Sequence, residues 1–278
     1  MGKLEFRTDY HPPVFRKVAF GTWKTAADPS VYGQVDLDMT EALKFAESYS
    51  QKHQVKITPT LLVARAISHC MVMRPEVNGM IRCGKIYLRK DVSIFFQVNI
   101  PGSGTDKAAK ASLSGTVVHG VDKMSLLELA QKLSRNAGEI KAGKDAAFNQ
   151  TLNMIRWMPW GLVGYFLRLG SWLTYGLNLN LSKFGLPKDP FGSVMITGVG
   201  GMGIDFAWAP LCPYTRVPLL LAIGAVRDRP VAIDKQVVVR PMMSIGITFD
   251  HRFIDGVHAA EMSREFKKCF AEPEKYLS

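Results

Sequence analysis

Cysteine is scarce here, and what there is forms no pattern. The four cysteines, Cys70, Cys83, Cys212 and Cys269, include no Cys-x-x-Cys pair and no histidine at ligand spacing. That argues against a zinc site and against a disulfide framework, so reduced, mostly buried thiols and no resident metal are expected. The start, MGKLEFRTDY, lacks the apolar run that a secretory signal carries behind its positive charge, and Phe6 stands where a myristoylation motif needs Ser or Thr. A cytoplasmic protein is the expectation. No internal repeat or low-complexity linker divides the chain. Acidic residues are too few to balance the basic ones, 24 against 35, for a formal net charge of +11. Yet no arginine-rich tract interleaves with aromatics. Nucleic acid is therefore not the expected partner; a phosphate-bearing ligand, a membrane surface or plain solvated charge remains.

What is present is ordinary globular composition over 278 residues, enough for one large core. VYGQVDLD (31–38) alternates like a half-exposed strand, and MTEALKFAESYSQKH after it has helical spacing. TPTLLVARAISHCMVMR (58–74) has an N-cap threonine and a first-turn proline, with Leu62, Ala66 and Cys70 on one face, which predicts a buried helix. SIFFQVNI (93–100) and SGTVVHGV (114–121) read as strands. Leu126, Ala130, Leu133, Ala137 and Ile140 mark an amphipathic helix ending near Gly143. SVMITGV, VPLLLAIGAV, KQVVVR and SIGITF return to strands, and a last helix puts Ala259, Met262, Phe266 and Cys269 on one face. VPLLLAIGAV is apolar at both parities, which places it mid-sheet, covered on both sides. Strands and helices mix without strict alternation, so the fold class is α/β, a two-layer sandwich on a mixed sheet.

One stretch breaks this pattern. Residues 151–181 carry only Arg156 and Arg168 as charges. Their length suits a bilayer span, but a single crossing would strand SIFFQVNI and SVMITGV on opposite sides of a membrane although both are needed for one core. Pro159 and the glycines at 161, 164, 170 and 176 predict shorter pieces, a helical hairpin on a surface. Trp157, Trp160, Tyr165, Trp172 and Tyr175 suit either a subunit interface or a membrane interface.

Two motifs remain. GVGGMG (198–203) has the look of a dinucleotide fingerprint, but IDFAWAPLCP after it opens no helix. It reads as a turn that lets backbone approach another strand or a ligand. FDHRFIDG (249–256) fixes Asp-His-Arg-x-x-Asp-Gly at a strand end. It resembles the signature of the catalytic domains of dihydrolipoyl acyltransferases, the core components of 2-oxo acid dehydrogenase complexes, and of the related chloramphenicol acetyltransferases. RKVAFGTW, ITPTLLVARAISHCMVMRPEVNG, VDKMSLLELAQKLSRNA, SVMITGVGGMG and FKKCFAEPEKYL are similar to further segments of that domain, so the resemblance covers most of the chain apart from roughly 145–190.

The resemblance implies a chloramphenicol acetyltransferase-like fold over 1–278, from which the chain is expected to depart by an apolar helical insertion at about 148–187 and by carrying no lipoyl or peripheral-subunit-binding domain. It implies a homotrimer, or a larger assembly of trimers, with each active site between neighbouring subunits. Coenzyme A or acyl-CoA would be the substrate, and the lipoyl group would come from a partner in trans. Thr197 stands where the family carries its oxyanion-stabilising serine, and a family arginine near the start is replaced by Thr22. Acyl transfer between thiols needs a base for the attacking thiol, and an imidazole's ordinary pKa, about two units below a thiol's, suits it. His251 is the expected base and Thr197 the oxyanion donor. Asp255 would organise the turn by accepting a hydrogen bond or pairing with Arg16 or Lys24. Asp250, Arg252 and Gly256 are structural members of the motif, Gly256 supplying the backbone conformation that starts the last helix. The competing reading makes His251 a helix cap with Asp250 and Asp255 as an N-terminal charge pair. His119 and His258 are set aside for want of a carboxylate at catalytic spacing, His69 as a core residue, and His11 and His53 as turn residues. The alternative function is a trimeric scaffold or membrane-docking protein that has lost turnover.

Overall fold

The computed structural model describes residues 14, 28–82, 84–100, 112–141, 159–177, 179 and 189–278. RKVAFGTW with Arg16, Thr22 and Lys24, as well as His11, Cys83, Arg156 and Trp157, lie outside them. A six-stranded mixed sheet in the order β1-β8-β7-β6-β4-β5 organises the chain. Its strands are β1 (Ser30–Asp38), β4 (Ile94–Ile100), β5 (Ser112–Val118), β6 (Val194–Gly198), β7 (Leu219–Ile233) and β8 (Gln236–Asp250). The pairs β4/β6 and β6/β7 are parallel, and the others antiparallel. A separate hairpin joins β2 (Gly79–Arg82) to β3 (Lys85–Leu88).

One face of the sheet carries α1 (Thr40–His53), α2 (Pro59–Met73), α3 (Leu126–Lys141), α5 (Gly256–Ala271) and the short α6 (Pro273–Tyr276). Their apolar faces meet Ile94, Phe96, Val194, Ile196, Leu219 and Leu221 in one buried cluster. Each such side chain is worth about 1.5–3 kcal/mol when taken out of water. Thr58 does take the extended N-cap conformation before α2, but its side chain makes no capping bond there; Pro59 and burial define that start.

The middle strand is β7, as its double apolar parity predicts. Leu220 and Ala222 are buried on the face away from the helices, where an irregular strap, residues 204–209, crosses it. Ala225 N–H donates to the Ile204 carbonyl (3.0 Å), Thr248 Oγ1 to Ala209 (2.7 Å) and Trp208 Nε1 to Gly33 (3.0 Å). A Cβ on Gly224 or Gly246 would sit 1.9 Å from the Asp205 oxygen or 2.0 Å from the Ala207 oxygen. Only glycine admits the strap so close.

KQVVVR and SIGITF, read as two strands, are one. Pro241 interrupts the pattern but not β8, and its carbonyl still accepts Met39 N–H (2.8 Å). β7 and β8 close through Asp234 and Lys235, both left-handed (φ 50° and 65°), the geometry that matches a tight hairpin to strand twist.

In the apolar stretch a helix of the expected short length follows Pro159. Residues Trp160–Ser171 form one helix, α4, which runs into a π-helical turn, Trp172–Gly176. Gly161, Gly164 and Gly170 lie inside it and break nothing, because a single glycine costs a helix only about 1 kcal/mol. A second arm of the expected hairpin falls on residues outside those described. No helix among the described residues is long and apolar enough to cross a membrane. The strands flanking the segment are hydrogen-bonded neighbours, Ile94 beside Val194, which is the arrangement that argued against a single crossing.

Candidate active site

β8 delivers the Asp-His-Arg turn. Asp250 ends the strand, buried, its N–H bonded to the Pro218 carbonyl (2.9 Å). Its carboxylate accepts from Arg252 N (2.9 Å), Nε (2.9 Å) and Nη2 (2.5 Å). Its carbonyl takes the N–H groups of Phe253 (3.0 Å) and Ile254 (3.1 Å), whose side chains are buried beneath the turn. Between these fixed residues His251 is exposed, its main chain tied to the Pro29 carbonyl (2.9 Å). Backbone and neighbours are held while the imidazole projects outward. Asp250 and Arg252 neutralise each other.

Asp255 is the N-cap of α5. Its carboxylate accepts from Val257 N (2.9 Å) and His258 N (3.0 Å), so it holds the turn through backbone donors. The expected partners, Arg16 and Lys24, lie outside the described residues. The helix cap is thus Asp255 and not His251. The His258 N–H, above all, holds the Asp255 carboxyl below the ordinary aspartate value of 3.8. A carboxyl whose folded pKa is depressed stabilises the fold above its unfolded pKa and loses that contribution as pH falls through the folded value. The Tm difference between wild type and Asp255→Ala should therefore be wide at pH 7 and narrow as pH drops below that ordinary value. A difference that stays constant would show that the charge of Asp255 is not used. Gly256 does not match its expectation: its φ lies outside the left-handed region and an added Cβ would meet open space, so α5 needs no glycine there.

Thr197 sits on β6 opposite Ala222 of β7. Val194 and Ile196 point into the helix-covered core, so alternation turns Thr197 to the other face, where it is half-buried. The structure does not bring it to His251. His251 follows Phe249, which pairs with Leu219, while Thr197 lies level with Ala222 and two strands away. The separation is roughly 10 Å across the sheet and about 16 Å along it.

The set-aside histidines have partners that spacing did not reveal. His258 has Asp255 Oδ1 at 2.8 Å from Nδ1 and Glu76 Oε1 at 3.5 Å from Nε2. Asp-x-x-His at a helix start was a legible capping signal; Glu76, far away in sequence, was not. His119 Nδ1 lies 3.0 Å from Ser93 Oγ. His53 is the last residue of α1, stacked on Tyr49, and not a turn residue. His69 packs against Tyr276. Cys70 and Cys269 are buried, and Cys212 is exposed. The hydrogen bond to Cys269, followed by burial, pushes the Cys70 thiol up. Among the described residues no group of three or more His, Cys, Asp or Glu could hold a metal. GVGGMG ends β6 in a single 3-10 turn, Gly200–Met202, with no α-helix opening after it, and a Cβ on Gly200 would lie 2.6 Å from the Gly224 oxygen of β7, the close strand approach its glycines predict.

Comparison with known proteins locates this arrangement. The family model for the catalytic domain of 2-oxoacid dehydrogenase acyltransferases matches residues 15–150 and 190–278. The dihydrolipoyllysine-residue succinyltransferase component of the 2-oxoglutarate dehydrogenase complex of Bartonella vinsonii subsp. berkhoffii is 24% identical over 257 residues, 91% of this chain and 50% of that protein. The chain spans about half the length of the curated relatives it matches. Among solved structures, the cubic core of a pyruvate dehydrogenase multienzyme complex superimposes with a TM-score of 0.66 at 20% identity, covering 90% of this chain and 85% of the other. The dihydrolipoamide acetyltransferase of Azotobacter vinelandii, studied for the role of a serine, a histidine and an asparagine in catalysis, gives 0.65 at 21% identity with the same coverage.

Proposed function

The chain belongs to the 2-oxoacid dehydrogenase acyltransferase catalytic-domain family, and from that premise we propose that it moves an acyl group between coenzyme A and the thiol of a dihydrolipoyl group supplied by a partner. The observation that carries this reading is the placement of His251, an exposed imidazole on a turn whose neighbours are all held. His251 takes the proton of the attacking thiol, and the sulfur adds to the thioester carbonyl. Thr197 donates its hydroxyl hydrogen to the oxyanion of the tetrahedral intermediate. Collapse expels the CoA thiolate, which recovers the proton from the imidazolium.

The distance between Thr197 and His251 within one chain supports a site completed by a second copy, in a closed head-to-tail ring such as a trimer. The Azotobacter enzyme has its histidine and asparagine four residues apart, the spacing of His251 and Asp255 here. The test is incubation with a panel of acyl-CoAs and dihydrolipoamide, read as free CoA. Acceptor-dependent release is expected; its absence with every acyl-CoA would favour the scaffold that has lost turnover.

A further inference from the structure

Helix α4 lies in the internal stretch, 151–189, that the family model leaves unmatched, and acyl transfer as derived above gives it no task. Leu162, Tyr165, Leu169 and Trp172 recur at helical spacing and are between 51% and 70% exposed. Val163, Phe166, Leu167, Gly170 and Leu173, on the adjoining side, are half-buried. Four large apolar side chains therefore form a stripe facing away from the body.

The surroundings are basic. Arg82 bonds the carbonyls of Tyr175 (2.5 Å) and Gly176 (3.4 Å), and Arg216 joins Ser171 Oγ (3.1 Å) to the Ile81 carbonyl (2.9 Å). These bonds fix the β2–β3 hairpin beside the end of α4. Residues 79–90 and 159–177 together contain Arg82, Lys85, Arg89, Lys90 and Arg168 and no aspartate or glutamate. The hairpin adds exposed Ile86, Tyr87 and Leu88.

We propose that this face docks the protein flat on an anionic lipid surface. Leucines with a tyrosine and a tryptophan on one side of a helix, and arginine at its margin, are what an interfacial helix buries in the headgroup region. Arg89 is taken up by Asp189 (2.8 Å), which leaves exposed Lys85, Lys90 and Arg168 to complement anionic headgroups. A second copy of the chain fits less well: the stripe offers on the order of 400 Å², against about 800 Å² per partner in a stable interface. Among the described residues no helix is long and apolar enough to cross a membrane.

The experiment uses the full chain with phosphatidylcholine vesicles, pure or containing about one third phosphatidylserine. Wild type should pellet with the anionic vesicles and stay in solution with the neutral ones. Leu162→Ser/Leu169→Ser/Trp172→Ser should cut the pelleted fraction at least tenfold. Arg168→Glu, an exposed charge reversal that leaves the apolar contacts in place, should cut it severalfold and decides the matter if the triple variant does not fold. Both variants should release free CoA at the wild-type rate, so a failure of docking and a failure of the acyltransferase reading are told apart. Wild type left in the supernatant with anionic vesicles, or an Arg168→Glu variant that pellets as wild type does, would overturn the proposal. So would a triple variant that loses its oligomeric state while vesicles leave the wild type unmoved, because the stripe is then an interface between copies.

Discussion

Replacing His251 with alanine is expected to lower acyl transfer by a factor of roughly 10² to 10⁴, the usual worth of a positioned general base. The structure makes this a sharp test. The imidazole is exposed, and the turn is held by Asp250, Arg252 and Pro29, none of which the substitution touches. Tm should barely move, so lost rate cannot be charged to lost fold. The loss should fall on kcat more than on KM, because the base acts on the proton in flight and not on bound CoA. Wild-type turnover in the folded variant would remove His251 from the mechanism. Asp250→Ala should behave differently. It removes the buried carboxylate that accepts from both the side chain and the N–H of Arg252 and so holds the turn, so there stability and rate should fall together.

Periodicity carried much of the fold. Leu126 to Ile140 repeat at helical spacing, and that helix is there; the double apolar parity of Leu219 to Ile223 put β7 in the middle of the sheet, where it lies. What was not legible depends on contacts between distant residues. Pro241 hid the continuity of β8, because a proline in a strand reads as a break until its neighbours are known. The strap over Gly224 and Gly246 carries no pattern of its own, only backbone laid against two glycines. At the site, Asp-His-Arg-x-x-Asp-Gly was visible as a motif, but the clasp of Arg252 on Asp250 and the Glu76–His258 contact needed coordinates. The relative position of Thr197 and His251 needed strand order and register, which no local pattern encodes.

That register leads to the expected result of a mixing experiment. Thr197→Val should lower turnover by about 10² if its hydroxyl serves the oxyanion, while Thr197→Ser should be tolerated. His251→Ala should be as poor or poorer. If the working pair comes from adjacent chains of a closed ring, combining equal amounts of the Thr197→Val and His251→Ala chains creates sites that unite an intact His251 from one with an intact Thr197 from the other. Random assembly yields such sites in about one quarter of positions. Co-expressed chains carrying different tags, purified through both, leave only mixed rings, and a mixed trimer has one such site in three, so they should regain about a third of wild-type activity, on the order of 30-fold above either parent. The gain has no other source, because neither variant holds both groups. Within one chain the two residues stand about 19 Å apart by strand spacing, too far to act on one carbonyl. Doubly tagged oligomers no more active than their parents would show that each chain supplies both groups itself, and would move the oxyanion donor away from Thr197 to a residue nearer the turn at His251.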